Sequence, residues 1–306
     1  MGVGSSELGQ IGIPRTGEAE PGTDGRRVLS CELGFWVAEP AEVVLQITAS
    51  ASAGTVMAER FDARSEGEPL AATELLGPNG TRSHVLAAPV GRLHVSYRAE
   101  IQAAATLSSS PGTMPGTDPG GPELAAANSR LVYLRPSRYC PSDHLVGFAV
   151  AEFGVESSVE SRVLAITEWI RERVGYVAGS SSVHDSAEHT LLTGMGTCRD
   201  FAHLGVALCR AVGIPARFTS VYAPGLFPMD FHAVFEVIEH GHWYAFDATD
   251  LAPRQAMVRI ATGRDAADTA FASVISGIAT LNSLEVTATA GGILPIDDRD
   301  QAFELN

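Results

Sequence analysis

The stretch Gly196-Thr197-Cys198-Arg199-Asp200-Phe201-Ala202-His203 decides the fold of this chain, because it places a cysteine where a loop becomes a helix. Apolar residues then recur at the i, i+3, i+4 spacing of a helix with one buried face. They are Phe201, Leu204, Gly205, Leu208, Cys209 and Val212. At about 100° per residue, Cys198 lies at the edge of this face, so its sulfur should point toward neighbouring structure. Free N–H groups and the helix dipole at a first-turn position stabilise a thiolate, so the stretch predicts a nucleophile.

A β-hairpin is predicted downstream of this helix. Residues 230–238 and 243–248 both have the composition of strands. Between them, Glu239-His240-Gly241-His242 has the composition of a tight turn. The turn is therefore expected to centre on His240 and Gly241.

The register of this hairpin supplies a base for the cysteine. In that register Glu239 faces His242 and Val234 faces Asp247. His232 and Asp247 are then diagonal neighbours on one face, roughly 7–8 Å apart at the backbone, within reach of an imidazole–carboxylate hydrogen bond. A slip of one residue would put them on opposite faces, so the pairing is a sharp geometric prediction.

The other histidines near these motifs fit a catalytic role less well. His203 lies five residues beyond the cysteine, about 140° round the helix, and points elsewhere. His240 and His242 are interpreted as solvated turn residues. His184 and His189 are spaced i, i+5, but no Cys-x-x-Cys or His-x-x-x-His partner supports a zinc site, and no metal is expected.

The motifs around the cysteine, the histidine and the aspartate resemble those of the transglutaminase-like superfamily. They are similar above all to its bacterial branch of candidate cysteine proteases, and the resemblance runs from about Arg135 to the end of the chain. The matching segments are 135–139, 196–202, 213–217, 231–237, 243–249 and 263–268. The resemblance implies that Cys198 is the nucleophile, His232 the general base and acid, and Asp247 the orienting carboxylate.

The resemblance also implies an α+β fold, with a papain-like transglutaminase core in which the nucleophile helix packs on an antiparallel sheet. One residue departs from the family pattern. The strand often contains His-Ala-Trp, whereas here it contains His232-Ala233-Val234. The smaller Val234 is expected to reshape the substrate pocket. Tyr176, from its position before the nucleophile, is a candidate oxyanion donor beside the Cys198 backbone N–H.

These residues predict thiol-dependent acyl transfer through a thioester, without any metal or organic cofactor. The expected substrate is a peptide, a protein or a small amide or ester. Water as acceptor makes a peptidase or amidase, which we favour because water is always present and no amine site is evident. An amine acceptor would instead make a transglutaminase or another amide-forming acyltransferase. A non-catalytic binding or scaffold protein is the remaining alternative, and the presence of all three residues argues against it.

Composition excludes several other classes of function. The formal net charge is −15 and all 21 basic residues are arginine, so neither nucleic acid nor an acidic membrane surface is an expected partner. Without lysine there is no Schiff-base, P-loop or Ser-x-x-Lys chemistry. Four cysteines in 306 residues suit a reducing cytoplasm. The oligomeric state is not indicated.

Turn-rich segments divide the chain. Residues 1–25 are expected to be a flexible tail, 26–105 a small N-terminal β-sandwich domain, 106–123 a linker and 124–306 the catalytic domain. Within the last, the apolar loop 223–229 precedes His232. It fits either a lid over the substrate or an ordinary Pro/Gly connection.

Overall fold

The computed structural model describes residues 25–103, 128–156, 158–239, 241–297, 299 and 303–305. Apart from Gly25, the expected tail lies outside these residues, and so does the whole of the expected linker. Both therefore stay predictions.

The first part of the chain forms strands almost throughout. They are β1 (Arg26–Leu45), β2 (Thr55–Ser65), β3 (Glu68–Pro69), β4 (Ala72–Leu76), β5 (Arg82–Ala88) and β6 (Gly91–Gln102). In β1 and β6 exposed and buried residues alternate, which is the pattern of a sheet with one face in the core. All pairings in this sheet are antiparallel.

The long strand β1 makes this sheet fold over on itself. One side of β1 pairs with β6 as far as Val37 and with β5 from Ala41 onward. The two halves therefore lie face to face, and Phe61 of β2 stacks on His84 of β5 with ring centroids 4.1 Å apart. The strands expected to form a sandwich thus form two layers that share β1.

The seventh strand of this sheet comes from the end of the chain. Strand β13 (Ala272–Ala290) pairs with β1 along almost its whole length. Residues 274–283 of this strand are almost all exposed, so buried and exposed positions do not alternate there. Tyr222, Val258 and Ile260 of the second part also belong to the core of this sheet. The residues assigned by sequence to separate domains therefore share a hydrophobic core.

The second part combines helices with a smaller sheet, so the expected α+β class is confirmed. The helices are α1 (Val146–Phe153), α2 (Val159–Arg173), α3 (Ala187–Thr193) and α4 (Cys198–Ala211). The strands are β7 (Gly175–Tyr176), β8 (Met195–Gly196), β9 (Ala216–Tyr222), β10 (Phe231–Glu239), β11 (His242–Phe246) and β12 (Val258–Gly263). Strands β9 to β12 form an antiparallel sheet in the order β11-β10-β9-β12, while β7 and β8 pair in parallel.

Helix α4 packs directly on strand β10, as predicted for the nucleophile helix. Gly205 is the point of closest approach, since a Cβ placed there would lie 2.6 Å from the ring of Phe235. Phe235 stacks on Phe246 of the neighbouring strand, and both rings are buried in the cluster beneath the helix. This packing fixes the height of the helix over the sheet, and with it the position of Cys198 at the helix start.

The other face of the small sheet is covered by the end of the chain. The Ala245 N–H donates to the Phe303 carbonyl at 2.7 Å, and His242 Nδ1 lies 3.0 Å from Glu304 Oε1. Leu305 joins an apolar cluster on this face. Among the described residues, no helix is long and apolar enough to span a membrane.

Candidate active site

Cys198 is the first residue of α4, and its neighbours hold the helix start in place. The Thr197 N–H donates to Asp200 Oδ2 at 2.8 Å, and the Thr197 hydroxyl donates to the same oxygen at 3.0 Å. Asp200 is buried, so this cap is shielded from water. Asp200 therefore braces the turn that carries the nucleophile. Cys198 itself is partly exposed.

The predicted hairpin register is confirmed. Glu239 pairs with His242, and Phe235 pairs with Phe246. Continued by one residue, this alignment puts Val234 opposite Asp247, as predicted. Gly241 takes a left-handed φ of 87°, which a tight turn requires and glycine adopts without strain. His240, the other expected turn residue, lies outside the described residues.

This register brings His232 and Asp247 together. His232 Nε2 lies 2.8 Å from Asp247 Oδ2, and the two side chains are 0% and 4% exposed. The other oxygen, Asp247 Oδ1, accepts from the Thr249 N–H at 2.8 Å and from the Thr249 hydroxyl at 2.7 Å. Both oxygens of the carboxylate are therefore used, which fixes its plane and the direction of the imidazole.

The pair is held in its charged form. Burial by itself lowers the pKa of His232, but the Asp247 charge, its hydrogen bond and the nearby Cys198 thiol raise that pKa from 6.5 to about 10. Burial likewise raises the pKa of Asp247, whereas the His232 charge and the hydrogen bonds from His232 and Thr249 bring it below 3.8. Both shifts point the same way, toward an imidazolium beside a carboxylate.

Cys198 lies close to the imidazole nitrogen that Asp247 leaves free. Its side chain contributes a hydrogen bond and a charge to the pKa of His232. Within the described part of the chain, the buried His232 Nδ1 has no hydrogen-bond partner of standard geometry. No hydrogen bond of standard geometry therefore joins Nδ1 to the sulfur, which is common in catalytic groups without substrate.

Tyr176 lies beside the start of the nucleophile helix. Strand β7 pairs it with Gly196, two residues before Cys198, and its ring centroid is 6.0 Å from that of Phe201. Burial and the charge that Cys198 can carry raise the pKa of Tyr176 to about 12, while a hydrogen bond from the Cys198 backbone N–H acts in the opposite direction. The phenol and this N–H, the two expected oxyanion donors, are thus neighbours.

Val234 lies deeper than its predicted role suggests. Its side chain is 1% exposed and belongs to the apolar cluster that includes Leu226, Met257 and Leu305. The chain end and the loop before His232 cover this face of β10, which the alternation of the strand alone did not reveal. Contact of Val234 with substrate stays a prediction.

The loop 223–229 is anchored in its first part and exposed in its second. Leu226 is buried, whereas Phe227 is 91% exposed and Met229 is 45% exposed. The peptide bond between Phe227 and Pro228 is cis. A lid and an ordinary connection both remain compatible with this loop.

A buried ionic cluster near the site was missed by sequence reasoning. Glu236 is fully buried and accepts from Arg217 Nε at 2.8 Å, from the Thr219 hydroxyl at 2.7 Å and from both terminal nitrogens of Arg259 at 2.7 Å. Arg259 also donates to the Leu305 carbonyl at 3.0 Å. The sequence signal for this cluster is the carboxylate of Glu236 inside an otherwise apolar strand, since a buried charge requires charged or polar partners.

Known proteins share much of this chain's sequence and fold. A protein from Cytophaga hutchinsonii, described as a candidate cysteine protease, has a solved structure that matches with 33% identity and a TM-score of 0.76. The match covers 92% of this chain and 97% of that one. The model of the transglutaminase-like superfamily core also matches residues 149–248, which include Cys198, His232 and Asp247. The chain belongs to the transglutaminase-like superfamily.

Two further matches to this superfamily member are weaker. An uncharacterised protein of Mycobacterium leprae is 29% identical over 148 residues, which are 45% of this chain and 52% of that protein. The match thus spans about half the length of this curated relative. The periplasmic domain of TgpA from Pseudomonas aeruginosa is 18% identical, with a TM-score of 0.39, over 69% of this chain and 88% of that domain.

Proposed function

We propose that this transglutaminase-like protein is a cysteine hydrolase that cleaves an amide bond through a thioester. The observation that carries the proposal is the buried His232–Asp247 pair, 2.8 Å apart, beside a cysteine at a helix N-terminus. A nucleophile, a base and a group that orients the base are the parts that such catalysis needs. The likeness to a candidate cysteine protease supports hydrolysis.

The first half-reaction uses each of these groups once. The Cys198 sulfur adds to the substrate carbonyl carbon, and the proton of the thiol resides on His232. The Cys198 N–H and the Tyr176 hydroxyl donate to the oxyanion. The carbon–nitrogen bond then breaks, the leaving amine takes the proton from His232, and a thioester to Cys198 remains.

Water completes the cycle. His232 accepts a proton from water as the oxygen adds to the thioester carbon, and the oxyanion forms again in the same place. The carbon–sulfur bond breaks, the sulfur recovers the proton, and a carboxylic acid leaves. Asp247 stabilises the imidazolium in both halves without itself taking up a proton. The substrate is proposed to be a peptide, a protein or a small amide or ester.

The proposal is tested by trapping the thioester. Wild-type protein and the Cys198→Ala variant are incubated with cell extract, quenched in acid and analysed by intact-mass and peptide-mapping spectrometry. An acyl adduct on the peptide that contains Cys198, absent from the variant, is expected and names the donor. No adduct, or an equal adduct on both proteins, contradicts the proposal.

Isotope labelling separates the two acceptors. In water enriched in oxygen-18, hydrolysis places the label in the carboxylic acid product. If an added primary amine instead becomes bound to the acyl group while the label is absent, the protein is an acyltransferase. A cytoplasmic location is also proposed, supported by four free cysteines.

A further inference from the structure

Arg199 directly follows the nucleophile and ties the start of its helix to a neighbouring loop. Its Nη2 donates to Ser181 Oγ at 2.6 Å and to the Ser182 carbonyl. The same nitrogen donates to Asp200 Oδ1 at 3.5 Å, on the carboxylate that caps α4 through its other oxygen. One guanidinium nitrogen of Arg199 therefore joins the loop to the capped helix start.

The position of Arg199 is unfavourable for the helix by itself. It is the second residue of α4, where the helix dipole presents its positive end and disfavours a cation. Its side chain is 24% exposed. Within the described part of the chain, its buried Nε has no hydrogen-bond partner. An arginine that costs free energy in this way is expected where its contacts serve a functional site.

The loop that Arg199 holds begins at the candidate oxyanion donor. Tyr176 is the last residue of β7, and Ser181 follows it by five residues. Between them, the Val177 N–H donates to the Gly196 carbonyl at 2.9 Å. The segment that starts at Tyr176 is thus linked to the nucleophile turn at two points, Gly196 and Arg199.

The second link matters because the two oxyanion donors come from different elements. The Cys198 N–H belongs to α4, and the Tyr176 hydroxyl belongs to β7. Strand β7 has only two residues, so its pairing with β8 gives the loop beyond it little support. A shift of about 1 Å in a catalytic group can cost a factor of about 10² in rate. The contacts of Arg199 oppose such a shift.

We propose that Arg199 is a positioning residue that keeps the Tyr176 hydroxyl and the Cys198 N–H at the spacing that the oxyanion needs. The inference rests on the proposed function, because it concerns the same acyl-transfer step. Arg199 contacts the loop and the cap, so it acts through Tyr176 and not on the substrate itself.

Two thiol reagents separate oxyanion stabilisation from thiol reactivity. With p-nitrophenyl acetate, the Cys198 sulfur adds to the carbonyl carbon, an oxyanion forms, p-nitrophenolate leaves and an acetyl thioester remains. With iodoacetamide, the sulfur displaces iodide from a methylene carbon and no oxyanion forms. The ratio of the acylation rate to the alkylation rate at Cys198 therefore measures the oxyanion donors. We expect Arg199→Met to lower this ratio about tenfold, since a displaced donor loses most of its effect.

Arg162→Met is the matched control. Arg162 lies in the first turn of α2, its Nη2 donates to the Glu156 carbonyl of the preceding loop at 2.7 Å, and its buried Nε also has no partner among the described residues. This variant loses the same charge and a similar contact, and it should keep the wild-type ratio. An unaltered ratio in Arg199→Met, or an equal fall in both variants, overturns the inference.

Ser181→Ala tests the same link without removing a charge. It deletes one acceptor of Arg199 and should lower the ratio by about threefold, a part of the effect of losing the whole contact. A fall in Arg199→Met with no change in Ser181→Ala would assign the effect to the arginine charge and overturn the positioning role.

A double-mutant cycle identifies the group through which Arg199 acts. In the Tyr176→Phe background the hydroxyl is already absent, so adding Arg199→Met should lower the ratio no further. A full additional fall in that background contradicts the inference. If p-nitrophenyl acetate does not acylate Cys198 of the wild-type protein, the proposed function fails and the inference falls with it. Acylation of the wild type with an unaltered ratio in Arg199→Met removes the inference alone.

Discussion

His232 Nε2 lies 2.8 Å from Asp247 Oδ2, and both side chains are closed off from solvent. Asp247 directly follows the last residue of β11, Phe246, and the Thr249 N–H and hydroxyl hold its second oxygen. The carboxylate therefore determines which imidazole nitrogen faces Cys198. It also determines up to which pH the imidazole keeps its proton.

Asp247→Asn should remove this control. Without the carboxylate charge, burial dominates and the pKa of His232 should fall well below its present value of about 10. We expect kcat to fall by about 10²- to 10⁴-fold, as in other catalytic groups that lose their orienting carboxylate. NMR titration of the His232 ring measures the pKa directly.

The control for this variant is Asp250→Asn, since Asp250 is exposed and pairs with Arg299. It should leave both the His232 titration and kcat unchanged.

The raised pKa of His232 also predicts how the stability of the fold depends on pH. A raised His232 pKa stabilises the fold below the unfolded value of 6.5, and this contribution is lost as pH rises through about 10. A wild-type ring that titrates near 6.5 would contradict the ion pair.

Cys198 should be alkylated by iodoacetamide far faster than the other three cysteines. Those three are buried, and burial raises the pKa of Cys31 to about 11, that of Cys140 to about 12 and that of Cys209 further. At least a hundredfold difference in rate, on the order expected for buried and therefore inert thiols, should be seen by peptide mapping of the native protein. Equal rates would show that Cys198 has no special reactivity.

Tyr176→Phe should slow the chemical step and leave substrate binding nearly unchanged. The lost hydroxyl acts only on the oxyanion, so kcat should fall by about 10- to 1000-fold while KM stays similar. Because the pKa of Tyr176 is raised to about 12, the wild-type phenol keeps its proton over the whole usable pH range. A fall in the alkylation rate of Cys198 would instead show that Tyr176 acts on the reactivity of the Cys198 thiol and not on the oxyanion.

Glu236→Gln should destabilise the protein without touching the reacting groups. It removes one partner of a buried ion cluster and leaves the Arg217 and Arg259 charges less compensated, at a cost of about 3–5 kcal/mol. The pKa of Glu236 is lowered from 4.5 to about 2 because the arginine charges and hydrogen bonds outweigh burial. Its stabilisation is therefore full above pH 4.5 and lost as the pH falls toward 2. Urea unfolding at several pH values measures both effects, and Glu285→Gln, an exposed residue on β13, is the control.

The sequence predicted the hairpin and the start of the nucleophile helix better than the long-range strand pairings around them. The hairpin register followed from local rules, since one two-residue turn and the period of two in a strand place His232 beside Asp247. The start of α4 also depends on local interactions, because Thr197 and Asp200 form the cap there.

Long-range pairings were not predictable in this way. Strand β13 reaches β1 across more than two hundred residues of sequence, and its exposed residues give little alternation. The contact between Leu305 and the face of β10 that carries Val234 is also long-range and was not predictable from local sequence. Only tertiary contacts determine these neighbours.

Gly205→Ala should disturb the site through helix packing. A Cβ at this position would lie 2.6 Å from the Phe235 ring, so α4 must move away from β10 and carry Cys198 with it. We expect a loss of about 1–3 kcal/mol in unfolding free energy, typical of overpacking, together with slower alkylation of Cys198. Gly147→Ala in α1 is the control, because nothing lies within 4 Å of its added Cβ and the change should stabilise the helix by about 0.5–1 kcal/mol. If Gly205→Ala unfolds like Gly147→Ala and keeps the wild-type alkylation rate, the close contact between α4 and β10 does not position the nucleophile.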